Sequence, residues 1–160
     1  MKKRRQKETL PFMEGTWFAI PLRQSGYAIG RVARQTRNGE IILAYLFAPK
    51  WKHVPAVDEI GCLQPEDAVK VLMVGGLGLI DGTWPVIGDS SSWDRERWPI
   101  PAFVRRDDLS RTAWRVVYSD DDPNRIVVEE RIPYETTELE PNSLYGHKAA
   151  ESYLSQILET

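Results

Sequence analysis

Two histidines, His53 and His147, and one cysteine, Cys62, are the only imidazole and thiol groups in the chain. Zinc sites draw three or four ligands from His, Cys and carboxylates, often in closely spaced pairs. Neither CxxC nor HxxxH occurs, and Cys62 has only Asp58 and Glu59 as near neighbours of ligand type. No metal and no cofactor is expected. Cys62 as a nucleophile would need a base brought beside it; a small thiol buried in the packing is the simpler expectation. Carboxylates adjoin at Asp107-Asp108, Asp120–Asp122 and Glu129-Glu130. General acid–base catalysis needs two of them in unlike environments facing a cleft. Adjacent acids on a strand point to opposite faces, and those in a loop are solvated. Nothing in the sequence around any pair selects it, and no enzyme is expected.

Gly75, Gly76, Gly78 and Gly82, in the run GGLGLIDG, follow a strand pattern. The run matches neither GxGxxG nor GxxxxGK[ST], and the residues beyond it lead into another strand. A phosphate cradle needs a helix N-terminus at that point. Bulge or close-packing glycines are expected instead. The remaining chemistry is aromatic and basic. Trp93 and Trp98 bracket Asp94-Arg95-Glu96-Arg97, and Trp and Arg dominate binding hot spots. Two readings stand: the indoles plug the rim of the core, or they meet a partner. The partner-binding candidates are Trp93, Arg95, Arg97 and Trp98, together with the acidic Asp120, Asp121 and Asp122.

The elements that must position these residues are mostly strands. Thr16, Phe18, Ile20 and Leu22 alternate with Trp17 and Ala19, a period of two. Tyr27–Gln35 resumes the pattern after Gln24-Ser25-Gly26. Asn38-Gly39 between apolar runs predicts a tight hairpin turn. Ile41–Ala48 reads as a strand covered on both faces. Pro65–Val69 predicts a single helical turn, and Val71–Val74 a buried strand. Asp81-Gly82 predicts a tight turn into a strand over Trp84–Gly88. Pro101–Arg106, Ala113–Tyr118 and Arg125–Ile132 are further strands, with Asp120–Asn124 a polar loop. Tyr145, Ala149, Tyr153 and Ile157 then recur every four residues, an amphipathic helix capped by Asn142 or Ser143. The expected fold is α+β: a mostly antiparallel, twisted sheet of hairpins with the C-terminal helix packed on it. Residues 1–10 read as a basic, disordered tail and 11–160 as one domain.

The chain has 160 residues, 42% apolar and 28% charged, with a net charge of -2, which excludes intrinsic disorder. Its longest apolar runs fall short of the ~20 residues of a membrane span. A lone cysteine and the absence of an apolar stretch after the basic N-terminus predict a cytoplasmic protein. Residues 1–8 carry five basic groups against one acid, and residues 120–160 ten acids against three bases. The first cluster fits a solvated tail or nucleic-acid binding. The second repels a phosphate backbone and attracts a basic protein surface, or simply keeps the domain soluble.

Glu14–Val32, EGTWFAIPLRQSGYAIGRV, resembles the opening of the bacterial immunity protein 26 family, through Gly15, Phe18, Ile20, Pro21, Leu22, Gly26, Tyr27, Gly30 and Arg31. IDGTWPVIGD, Ile80–Asp89, followed by Pro99-Ile100-Pro101 and Phe103, is similar to a second family segment, and Ala113–Asp121 to a later strand. Thr16 stands where the family commonly has an acid. The resemblance spans roughly residues 13–122 and implies a small inhibitor from a polymorphic toxin system, whose partner is a cognate protein toxin domain. A basic nuclease-type toxin fits the acidic charge. It implies no catalytic residues. A nucleic-acid- or peptide-binding module and a carboxylate enzyme remain the alternatives.

Overall fold

The computed structural model describes residues 9–89 and 92–159. The basic cluster at residues 1–8 and the serines at 90 and 91 lie outside the described residues. Three hairpin-linked strands open the fold: β1 (Thr16–Pro21), β2 (Tyr27–Gln35) and β3 (Ile41–Trp51). A short helix α1 (Val57–Ile60) and a 3-10 turn at Pro65–Asp67 lead to β4 (Lys70–Gly75). Then come α2 (Leu77–Asp81), β5 (Val86–Asp89) and a 3-10 turn at Arg95–Arg97. The chain continues through β6 (Phe103–Asp107), β7 (Thr112–Ser119), β8 (Asp122–Ile132), β9 (Glu140–Pro141) and β10 (Leu144–Tyr145), and closes with α3 (His147–Leu158).

Among the described residues the strands form two sheets, in the orders β10-β4-β3-β2-β1-β5 and β8-β7-β6-β9. All pairings are antiparallel except β10 with β4 and β6 with β9. The expected α+β class, with a terminal helix on a largely antiparallel framework, is what the chain adopts, divided over two sheets. The first sheet is buried on both faces, because both alternating sets of β1 are apolar. Phe18 and Ile20 share one core with Trp84, Ala150 and Leu154. Trp17 and Ala19 share the other with Phe47, Trp98 and Phe103. Leu10 packs against the first of these.

Four local expectations are corrected. Asp81-Gly82 is the end of α2, with Gly82 left-handed at φ 86° as the helix C-cap, so a helix does lie within the glycine run, between Gly76 and Gly82. That helix has five residues, and Gly76 and Gly78 serve packing. A Cβ on Gly76 would sit 1.9 Å from the Gly39 carbonyl oxygen, and one on Gly78 2.7 Å from the Trp84 ring. Asp120–Asn124 is not a loop: Asp120-Asp121 is a two-residue turn and β8 starts at Asp122. Pro123 is tolerated there because β8 is an edge strand. Tyr145 belongs to β10, and α3 starts after Gly146 with no side-chain cap. Cys62 is exposed rather than buried, because the chain turns outward at Gly61-Cys62 after α1.

The far end of α3 is tied to the β1–β2 turn. Ser155 Oγ accepts a hydrogen bond from the Arg23 backbone N–H (2.9 Å), and the Glu159 carboxylate accepts from the Gln24 and Ser25 N–H groups. No helix among the described residues is long and apolar enough to cross a membrane.

Candidate partner-binding surface

Arg31 on β2 organises the tryptophans. It is 2% exposed, and its guanidinium carbon lies 4.6, 4.7 and 4.7 Å from the rings of Trp17, Trp93 and Trp98. Its Nε donates to the Gly15 carbonyl at 3.0 Å. Burial pulls its pKa down to about 10, opposed by the charge of Asp89, so it remains a cation at neutral pH. A desolvated cation against aromatic faces is strongly favoured, and here one cation holds three indoles in place.

Arg34 organises the backbone around it. It is also 2% exposed. Its Nη1 donates to the carbonyls of Ala33 and Trp98, and its Nη2 to that of Arg95. Nε and Nη2 both donate to Asp120 Oδ1 at the β7–β8 turn. Arg95 completes the knot: Nε donates to Glu14 Oε1 at 2.7 Å, Nη1 to Asp120 Oδ2 at 2.5 Å, and Nη2 to the Asp120 carbonyl. Asp121 lies 3.5 Å from the same guanidinium. Burial works against ionisation of Asp120, but the hydrogen bond and charge of Arg34 and the charge of Arg95 outweigh it, holding its carboxyl below the ordinary range.

The sequence candidates thus fall into unlike positions. Arg95, Asp120 and Asp121 meet in one ion-pair cluster. Trp93 and Trp98 lie side by side at 6.0 Å, but Trp98 is 4% exposed, packed edge-on against Trp17 and Tyr45. Trp93 is half-buried. Arg97 turns away, donating to Gln64 Oε1 at 3.0 Å. Asp122 is half-buried at the start of β8. Met13, 61% exposed, lines with Glu14, Gln35, Trp93, Asp94 and Arg95 an open recess of about 640 Å³. Asp94 also borders a second, 220 Å³ recess floored by Arg31 and Trp98. Met13, Glu14, Arg31 and Arg34 were not among the sequence candidates.

Such a surface offers an aromatic ridge, an apolar side chain and acceptors to a macromolecule. Among the described residues, no cluster of three or more His, Cys, Asp or Glu could hold a metal ion. The family model described as immunity protein 26 matches residues 13–115. The chain belongs to the immunity protein 26 family. Among curated proteins and among solved structures, nothing matches it. The match in this immunity protein 26 member runs from Met13, at the recess, into β7. It includes Arg31, Arg34 and the Trp93–Trp98 segment; β8, β9, β10 and α3 lie beyond it.

Proposed function

We propose that this immunity protein acts in the cytoplasm as part of a polymorphic toxin system, binding a cognate protein toxin and covering its active surface, without turnover of its own. The half-buried Trp93, locked by Arg31 beside the exposed Met13, carries this reading. A rigid aromatic anchor loses little conformational freedom on binding, which is what hot spots require. Contact falls to Trp93, Arg97, Asp121 and Asp122, while Trp98, Arg95 and Asp120 hold that face in shape. The exposed acids of the β7–β8 turn favour a basic, nuclease-type toxin, whose encounter they would steer. Membership of an immunity family supports a protein ligand over a nucleic acid.

Co-purification with the product of the adjacent toxin-bearing gene, followed by growth rescue, tests the proposal. Rescue by the wild type that weakens on Trp93→Ala is the expected result. Failure to bind that product, or turnover of a small compound that one carboxyl substitution abolishes, would sink it.

A further inference from the structure

Most sheet edges among the described residues are short: β5 has four residues, and β9 and β10 two each. The exception is β8, eleven residues paired only through β7. Every residue from Asn124 to Arg131 is exposed, and Ile126, Val127 and Val128 retain 41, 51 and 40% of their surface. An open edge bearing three consecutive apolar side chains is a template for pairing.

The residues around this triplet say what it can pair with. Arg125 precedes it and Glu129-Glu130 follow it. Laid antiparallel against itself, the strand brings Arg125 opposite an acid, although Arg131 follows the acids and Glu129 and Glu130 already pair with Arg105 and Arg115 within the chain. The register sharpens this. Ile126 pairs with Tyr118, Val128 with Val117, Glu129 with Val116 and Glu130 with Arg115, leaving Val127 as an extra, bulged residue. Paired residues share a face, and Val116 and Tyr118 are two apart. Ile126 and Glu129 therefore share one face and Glu130 lies on the other, while Pro123–Arg125 fall in a second irregularity, between the partners of Tyr118 and Ser119. Arg125 is placed by its contact: its Nη2 donates to Ser119 Oγ (3.1 Å), on the same face as Glu130.

We propose that a second copy of this chain docks antiparallel on β8, about a two-fold axis between Val127 and Val128. Arg125 of each copy then faces Glu130 of the other, Val127 faces Val128 across the axis, and Ile126 lies opposite Glu129. Pairing stops at Asn124, which borders a recess with Thr36–Ile41 of the β2–β3 turn, and at Pro123, which has no N–H to give. Three apolar side chains per copy cover far less than the ~800 Å² per partner of a standard interface. The dimer is therefore reversible and concentration-dependent.

Sedimentation of the full chain over a concentration series tests it. The expected mass rises towards two chains, and Arg125→Glu or Glu130→Arg alone shifts the midpoint at least tenfold upward. An equal mixture of these two variants re-forms a dimer, and so does the double variant R125E/E130R, provided thermal melts show each one folded. A wild type that stays single up to millimolar concentration overturns the proposal, as does a dimer indifferent to both reversals. If the wild type is single and Val127→Lys abolishes toxin binding, the edge takes a strand of the toxin instead, and the self-pairing is wrong.

Discussion

Arg34 reaches from the first sheet and donates from both Nε and Nη2 to one carboxylate oxygen of Asp120, at 3.0 and 2.8 Å. Asp120 stands at the β7–β8 turn, so this pair clasps the second sheet to the first. The same guanidinium holds the carbonyls of Arg95 and Trp98, and the candidate binding segment is carried on the clasp.

Asp120→Asn removes the nearer of the two counter-charges of the buried Arg34, leaving Glu14 at 3.9 Å. Breaking a fully buried pair costs about 3–5 kcal/mol. The Asp120 side chain is 61% exposed, so screening reduces the expected loss to about 1–3 kcal/mol. Arg34→Lys is expected to lose at least as much, because an ammonium cannot supply the forked set of donors. Urea unfolding midpoints measure both; an Asp120→Asn midpoint equal to wild type would show the clasp to be idle.

The same pair sets an acid limb. The Asp120 carboxyl is held below its ordinary value of 3.8. Between the two values the unfolded chain binds the proton and the folded chain does not, so stability falls with falling pH. This contribution is fully present above about pH 4 and is lost as pH drops through the folded value. The difference in unfolding free energy between wild type and Asp120→Asn should hold constant from about pH 7 to 5 and shrink below about 4. A difference that widens in acid contradicts the assignment.

Arg31→Lys tests the aromatic cage. The ammonium cannot lie flat against three indoles and is more strongly hydrated. We expect a loss of about 2 kcal/mol or more, with greater accessibility of Trp93 to a fluorescence quencher. Unchanged quenching would mean that packing alone positions Trp93.

The early hairpins were legible in the sequence because their alternation is undisturbed and Asn38-Gly39 marks the turn between β2 and β3. The cage was not. Arg31 and Arg34 are three apart, which on a regular strand puts them on opposite faces. Arg31 pairs with Tyr45 and Arg34 with Leu43, two apart on β3, because β2 carries an extra residue between Val32 and Arg34. A single bulged alanine thus gathers both guanidinium groups on one face, and nothing in a run of small and apolar residues announces it. Asp120 was visible as an acid, but its engagement depends on a contact between residues 86 positions apart. Tyr145 continued the helical stripe, yet its parallel pairing with Val74 drew it into β10.

Trp93 and Trp98 should separate binding from folding. Trp98→Ala empties a fully packed site and is expected to destabilise by about 3–5 kcal/mol. Trp93→Ala, at a half-buried position, is expected to cost less in stability but to weaken toxin binding by about 2 kcal/mol or more. Calorimetric titration against the toxin, with unfolding curves for each variant, decides it. Equal effects of the two substitutions on binding would remove Trp93 as the anchor.

Charge reversal should likewise split the acidic turn into two roles. The Asp121 side chain is 91% exposed and touches Arg95 only at 3.5 Å, so its field reaches solvent. Asp120 is neutralised by two guanidinium groups. Asp121→Lys should therefore slow association with a basic toxin and flatten its salt dependence more than it speeds dissociation, with a smaller effect on the unfolding midpoint than Asp120→Lys. Asp120→Lys should lower the midpoint as well, by setting a third cation beside Arg34 and Arg95. Stopped-flow association at two ionic strengths distinguishes them. If Asp121→Lys leaves the association rate untouched while Asp120→Lys lowers it, the turn acts through its shape and not its field.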